Sequence, residues 1–279
     1  MKGKVKTILL WISVIILTLF FAVYQKKTGP TYPVKGKLSV EEQMVKYKLP
    51  RSYTSGENCP IIIEDKGLID SGFLFYKRHD TDDPWTKVEF KREGKNLIVY
   101  LPTQPPAGKV DYYLKLFRES KEFTVMYKNK SIVLRYKGAV PSYILIPHIL
   151  FMFISLLFSI RAFFEAFKRD PVYLKTYVIL TFATLFIGGA ILGPIVQKYA
   201  FGAYWTGVPY GYDLTDNKTL IALIGWLIAL IMVLKDRMKA RKWVIVVFII
   251  MAIVYLIPHS ALGSSLDYSK GKVVTGRTE

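Results

Sequence analysis

Two histidines that border apolar segments are the residues with the clearest capacity for chemistry. His148 follows Pro147 near the start of one such segment, and His259 follows Pro258 at the end of another. Ionisable side chains at membrane depth are costly and commonly mark functional sites. Two imidazoles at similar depth on different helices are what bis-histidine haem b ligation needs. We therefore consider a haem b or a quinol site between the two histidines. The alternative is interfacial histidines that bond headgroups or backbone carbonyls.

A pair of acids forms the second candidate. Asp213 and Asp216 end a loop rich in glycine and aromatic residues and precede an apolar stretch. Thr215, Asp216 or Asn217 can cap the helix that begins there, because short polar side chains accept hydrogen bonds from the free N–H groups of the first turn. This leaves Asp213 unassigned. Both acids are expected on the same side of the membrane as the histidines, so they are candidates for a metal or proton site and for small-ion transport.

The remaining candidates are surface groups that can bind a ligand or a partner. In the run 78–85 an imidazole and three acids can hold a cation, and an indole can stack on a sugar or a peptide. The alternative is a polar loop with its tryptophan at the core edge. Aromatic residues of the loop 199–218 can form an interfacial lid or part of an aromatic belt. These candidates are His79, Asp80, Asp82, Asp83, Trp85, Tyr204 and Trp205.

The elements that must position these residues are membrane helices. Of the 279 residues, 52% are hydrophobic, and the apolar residues occur in long runs. Residues 7–24 follow three lysines and offer no small-x-small cleavage site, which favours an uncleaved signal anchor over a signal peptide. Four more stretches are near spanning length, at about 143–160, 177–196, 219–234 and 243–257.

Basic residues in the short loops set the expected orientation. They cluster at 161–175 and 235–242, and the positive-inside trend places both loops in the cytoplasm. Lys26 and Lys27 oppose this trend without reversing it. We expect a cytoplasmic N-terminus and anchor helix at 1–29, an extracytoplasmic β-domain at 30–140, a four-helix bundle at 141–262 and an outer polar tail at 263–279. The expected location is the cytoplasmic (inner) membrane.

The outer domain reads as short strands separated by turns. Predicted strands lie at 43–48, 59–64, 72–78, 87–92, 97–101, 109–117, 123–127 and 131–136, and apolar residues alternate in several of them. Their number and spacing, with the proline-rich corner 102–108 before a tyrosine-rich strand, resemble a fibronectin-III or immunoglobulin-like sandwich over about residues 43–137. The resemblance implies binding or spacing and no catalysis. The expected fold is an α+β membrane protein with an anchor helix, an all-β sandwich and a four-helix bundle.

Composition and missing motifs exclude several function classes. The net charge of +18 is spread between apolar segments and forms no single face, so nucleic acid is not an expected partner. Cys59 is the only cysteine, which excludes an intrachain disulfide. Phosphate loops, dinucleotide fingerprints and hydrolase motifs are absent. We expect no catalytic residues. The leading hypothesis is a binding or scaffold protein, or an accessory subunit, whose partners are the bilayer and another protein of a membrane complex.

Overall fold

The computed structural model describes residues 2–258 and 263–275. The protein has an α+β architecture in which one helix precedes a set of β-strands and the other helices follow them. A π-helical segment, Phe186–Leu192, joins α3 to α4. The helices are α1 Lys2–Thr28, α2 Ser142–Ala166, α3 Leu174–Leu185, α4 Gly193–Phe201, α5 Leu214–Lys235 and α6 Arg237–Leu256.

Four helical stretches of the described chain are long and apolar enough to cross a membrane. They are Val5–Thr28, Ser142–Ala166, Leu174–Phe201 and Leu214–Lys235. The predicted fifth span, 243–257, lies almost entirely in α6. This helix is not among the four, because its first turns are strongly basic and its apolar part is too short to cross a membrane. It packs along α5 and α2. These helices form the bundle, and α1 also contacts α2 and α6.

The strands form two sheets that face each other across a hydrophobic core. The first sheet has the order β1-β2-β4-β8-β7, and the second has the order β3-β11-β9-β5-β6 with β10 also paired to β9. All pairs are antiparallel except β3 with β11. The strands are β1 Val34–Val40, β2 Gln43–Leu49, β3 Ser52–Thr54, β4 Cys59–Glu64, β5 Ser71–Arg78, β6 Thr86–Glu89, β7 Lys91–Glu93, β8 Asn96–Leu101, β9 Lys109–Arg118, β10 Lys121–Val125 and β11 Ile132–Lys137.

Alternating burial explains why these segments form a β-sandwich. In β4, Cys59, Ile61 and Ile63 are fully buried, while the residues between them are more exposed. The eight predicted strands are confirmed, with one change. The run predicted at 87–92 divides at Phe90 into β6 and β7, which belong to different sheets. Phe90 is buried at this crossover, and its N–H donates to the Gly72 carbonyl.

A buried ion pair lies in the bundle, near the C-terminal end of α2. The Arg161 and Glu165 side chains are 2% and 1% exposed, and Arg161 Nη1 lies 2.9 Å from Glu165 Oε2. The guanidinium is held between the rings of Trp11, at 5.5 Å, and Tyr177, at 4.6 Å. Lys168 also reaches Glu165, at 2.7 Å. The four-residue spacing places both side chains on one face of α2, and their ion pair with the two ring contacts fastens α1, α2 and α3 together.

The sandwich and the bundle are joined through the residue that follows β11 and through a C-terminal hairpin. Gly138 N–H donates to the Ala200 carbonyl at the end of α4, and a Cβ at Gly138 would overlap the Tyr199 carbonyl oxygen. Residues 263–275, predicted only as a polar tail, contain the hairpin β12 Ser265–Asp267 and β13 Lys272–Val274. The Tyr268 hydroxyl accepts from Lys109 N–H and donates to its carbonyl, which ties the hairpin to β9.

Candidate functional site

The bundle encloses a cavity at the end that carries the sandwich. Its volume is about 270 Å³, and residues of α1, α2, α5, α6 and the π-helix–α4 segment line it, together with the loop before α5. We call it the junction cavity. Most of its wall is apolar, and the polar groups include His148, Gln197, Asp213, Asp216 and Lys218. A largely apolar wall with a few convergent polar groups is typical of a small-molecule site.

The orientation of His148 depends on the π-helical segment. Pro194 has no N–H to continue the α-helical ladder, and the helix widens just before it. The Gly188 carbonyl accepts from Gly193 N–H, five residues on, and also lies 2.9 Å from His148 Nδ1. A carbonyl only accepts, so Nδ1 carries the proton. In the neutral ring Nε2 is then left as an acceptor. A backbone carbonyl on one ring nitrogen is also the usual support for a histidine that ligates a metal through the other.

Asp213 is the N-cap of α5. Its Oδ1 accepts from the backbone N–H groups of Thr215, at 2.8 Å, and Asp216, at 3.4 Å. The cap is therefore the acid that sequence reasoning left unassigned, and not Thr215, Asp216 or Asn217. Its Oδ2 accepts from the N–H and the hydroxyl of Ser264, each at 3.1 Å. Asp213 thus connects the start of α5 to the segment that follows α6.

Asp216 is held by a separate set of donors. Its Oδ2 accepts from Thr206 N–H at 2.6 Å, Gln197 Nε2 at 3.0 Å and the Thr206 hydroxyl at 3.2 Å. Asp216 is only 7% exposed, and its carboxylate is well supplied with hydrogen bonds, so it fixes the loop before α5 against α4. Gln197 is a site residue that sequence reasoning missed. A lone glutamine near the end of an apolar helix was the available signal.

Lys218 brings a positive charge to the same cavity. It is 7% exposed, and its Nζ donates to the carbonyls of Ile257, at 3.0 Å, and Pro258, at 3.3 Å. These carbonyls follow the last turn of α6, where no further helical N–H reaches them. Gln25 of α1 also donates to the Ile257 carbonyl, at 3.2 Å. Lys218 is therefore buried, and it closes the end of α6.

The loop between α4 and α5 covers one end of the cavity. Trp205 lines the cavity, and its indole N–H donates to the Val208 carbonyl at 3.1 Å. Tyr204, Tyr210 and Tyr212 are 59%, 83% and 77% exposed. The structure therefore places Trp205 at the cavity, and it places Tyr204 on the surface with the other tyrosines. Exposed tyrosines near a membrane boundary are typical of an aromatic belt.

The second histidine of the sequence hypothesis, His259, lies outside the described residues, so the proposed histidine pair stays a prediction. Across residues 2–258 and 263–275 no group of three or more His, Cys, Asp or Glu side chains could hold a metal ion. Asp213 and Asp216 both line the cavity, but each carboxylate accepts hydrogen bonds from protein donors.

Two basic residues of the sandwich, Arg135 of β11 and Lys109 of β9, place positive charge beside the cavity. Arg135 is 9% exposed, and its guanidinium lies 6.0 Å from the ring of Phe201, which lines the cavity. Burial lowers the pKa of Arg135, and the Asp213 carboxylate opposes that change. Burial also lowers the pKa of Lys109 to about 8, with a further contribution from Arg135. Two desolvated cations thus lie at the junction.

The surface loop 78–85 lies on the sandwich and is separate from the junction cavity. Its charges have local partners: Asp83 pairs with Arg78 at 2.6 Å, and His79 Nδ1 lies 3.0 Å from both oxygens of Asp111. Asp80 Oδ2 is 3.4 Å from His79 Nε2, and Asp82 is exposed. Trp85 is 42% exposed and meets the Tyr113 ring edge-on at 5.0 Å. It lies on the outer face of the sheet.

Among the described residues, the junction cavity brings together His148, Asp213, Asp216 and Trp205, and Gln197 and Lys218 also line it. The residues of the 78–85 loop do not join them. No protein-family model, curated protein or solved structure matches the chain.

Proposed function

We propose that the protein is a non-enzymatic integral membrane protein of the binding or scaffold class, in which the junction cavity holds a small amphipathic ligand. The cavity carries this proposal. His148 Nε2 can accept a hydrogen bond, Lys218 can donate one, and side chains such as Met152 and Phe153 can contact an apolar ring or tail. A quinone or quinol headgroup matches this combination, since it offers carbonyl or hydroxyl groups on an apolar ring.

The test is equilibrium binding of a short-chain quinone to the full-length protein in mild detergent. We expect saturable binding that falls at least about tenfold in Lys218→Met and in His148→Phe, because each variant removes a hydrogen bond at a desolvated site. Lys235→Met is the matched control, because Lys235 is exposed at the other end of the same helix. The absence of saturable quinone binding, together with no amphiphile retained through purification, would refute this ligand class.

A redox subunit with a haem b is the second candidate, and the Nδ1 hydrogen bond of His148 favours it. His259 would supply the second ligand. A dithionite-reduced minus oxidised spectrum decides between the two candidates. A b-type α-band that disappears in His148→Ala and in His259→Ala would replace the binding proposal with the redox one. A flat spectrum with saturable quinone binding would support the first proposal.

The wider assignment is a protein of the cytoplasmic membrane, with its N-terminus inside and the sandwich and C-terminus outside. The basic loops at 161–175 and 235–242 support this orientation. Contacts of α1 with the bundle, including an edge-on pair of Phe21 and Tyr255, support a retained signal anchor. The strand order supports an immunoglobulin or fibronectin-III type of sandwich, a class that commonly binds other proteins. We therefore propose a protein partner in a membrane complex.

Cysteine labelling of intact cells tests this orientation. The native Cys59 is buried, and burial raises the pKa of its thiol to about 12, so it gives little background. We expect Lys95→Cys, at a hairpin of the sandwich, to react with a membrane-impermeant maleimide. We expect Arg169→Cys, between α2 and α3, to react only after permeabilisation. The reverse pattern would invert the topology.

A further inference from the structure

A second, smaller cavity lies where the chain passes from α1 into the sandwich. Its volume is about 220 Å³, and it is lined by Thr31, Pro33, Lys48, Pro50, Arg51 and Ser52. We call it the collar pocket. It is formed by the segment between α1 and β1 and by the corner between β2 and β3. Of the described residues that line it, two are basic and none is acidic.

Two residues of the collar pocket have polar atoms with no partner. Arg51 Nε and Ser52 Oγ are buried, and neither makes a hydrogen bond within the described chain. Buried polar atoms are nearly always satisfied, and an exception commonly marks a bound water or ion. Ser55 Oγ, three residues further along, is also buried and makes no hydrogen bond within the described chain. Lys48 has no ion-pair partner among the described residues, and it is exposed. The Arg51 guanidinium lies over the Tyr127 ring at 5.0 Å, and within the described chain no acidic side chain pairs with Arg51 or Lys48. The pocket thus combines buried donors that lack partners with positive charge that no carboxylate balances.

The position of the pocket relates it to the membrane boundary. Thr31 and Pro33 follow the end of α1 at Thr28 by only three and five residues. Because a residue spans at most about 3.6 Å, Thr31 lies within roughly 11 Å of the helix end, which is within reach of a headgroup layer. Lys26 and Lys27 occupy the last turn of α1. A hydrogen bond from Lys35 and the positive charges of Lys35, Lys27 and Lys26 lower the pKa of the Tyr32 hydroxyl.

We propose that the collar pocket binds a phosphate-bearing anion through Arg51, Lys48 and the hydroxyls of Ser52 and Thr31. A tetrahedral oxyanion offers acceptors in several directions, so it can satisfy a guanidinium, an ammonium group and hydroxyls at once. An anionic lipid headgroup and free phosphate share this chemistry. The proposal also explains Lys26 and Lys27, which oppose the positive-inside trend: they belong to a basic collar that faces anionic headgroups.

The experiment uses the full-length protein in mild detergent, with titration of short-chain phosphatidylglycerol, short-chain phosphatidylcholine or inorganic phosphate. Binding is followed by native mass spectrometry and by the shift of the unfolding temperature. Preference for phosphatidylglycerol over phosphatidylcholine without an effect of phosphate assigns the site to a lipid headgroup. Saturable binding of inorganic phosphate assigns it to a free anion. Either result supports the pocket when the variants below abolish or weaken it.

The variants are Lys48→Gln and Arg51→Gln, with Lys91→Gln as the control. Lys91 is an exposed lysine on β7 that does not line the pocket. We expect Lys48→Gln to weaken binding about fivefold, since each basic residue near an anionic surface contributes on the order of that factor. Lys48 is exposed and pairs with no acid of the described residues, so its variant should fold even where Arg51→Gln does not. Equal binding by wild type, Lys48→Gln and Lys91→Gln, or no binding of any anion, would overturn the proposal.

Discussion

Gly188 and Gly193 lie five residues apart around the π-helical turn and offer a matched test of how closely the helices pack there. A Cβ at Gly188 would lie 3.0 Å from Phe151 Cβ and 3.1 Å from Met152 N, which are both fixed to the backbone of α2. A Cβ at Gly193 would meet only Gly188 O at 3.5 Å and His148 Cε1 at 3.7 Å. Carbon atoms pack best at about 3.5–4.0 Å. The first position therefore lacks room for a methyl group, and the second has it.

The expected energies follow from this geometry. Both variants to alanine gain about 0.4–1 kcal/mol because alanine restricts the unfolded chain. In Gly188→Ala, α2 must move away by about half an ångström, and overpacking of this kind costs about 1–3 kcal/mol. Because the gain is common to both, the difference between the variants isolates the overpacking cost. We expect Gly193→Ala to be neutral or stabilising and Gly188→Ala to be less stable than it by about 1–3 kcal/mol.

The assay is thermal unfolding of the purified full-length protein in one detergent. A difference of about 1 kcal/mol corresponds to about 2–4 °C in the Tm of a chain of this size class, so the two variants should differ by roughly 2–12 °C. Gly188→Ala should also weaken the proposed quinone binding, since the Gly188 carbonyl holds His148. Equal Tm values for the two variants would show that α2 does not contact the π-helical turn as closely as described.

Two further predictions concern buried charge. Glu165→Gln should destabilise the bundle by about 3–5 kcal/mol, because it leaves Arg161 buried beside a neutral partner. Thermal unfolding should show that adding Arg161→Met restores most of the lost stability. A double variant as unstable as Glu165→Gln alone would contradict the reasoning. Lys109, with its pKa lowered from 10.5 to about 8, binds its proton more weakly in the folded state. Stability should therefore rise by up to about 3 kcal/mol between pH 8 and 10.5. Lys109→Met should flatten this rise in Tm, and an unchanged rise would reject the assignment.

Hydropathy and alternation made the two parts of the fold predictable. Apolar runs long enough to span a bilayer and period-two strands are local signals, so the helices and the eight expected strands were found close to their observed bounds. β1 was missed because Gly36, two lysines and a serine weaken its alternation of apolar and polar residues. At Gly36 the Tyr47 side chain of β2 occupies the space that a Cβ would need. The division at Phe90 depends on which sheet each half joins, and a single-strand pattern carries no such information.

The candidate site was predictable only in part. The cost of polar groups at membrane depth pointed to His148, Asp213 and Asp216, and the structure brings all three to one cavity. Their partners were not visible, because they come from distant parts of the chain. Ser264 reaches Asp213 over a separation of 51 residues, and the amide of Gln25 reaches the Ile257 carbonyl over 232. Such contacts depend on how the helices pack, and no spacing rule gives them.

These long-range contacts have a consequence for biogenesis. Gln25 belongs to α1, the first helix of the chain, and Ser264 follows α6, yet both contribute to the polar network around the junction cavity. Ser264 emerges from the ribosome only after α6, so a chain that is still being synthesised has an incomplete junction cavity. Capture of the proposed ligand would then follow the synthesis of residue 264, and a chain that stops before that point would keep the capping bonds of Asp213 but lack its bonds to Ser264.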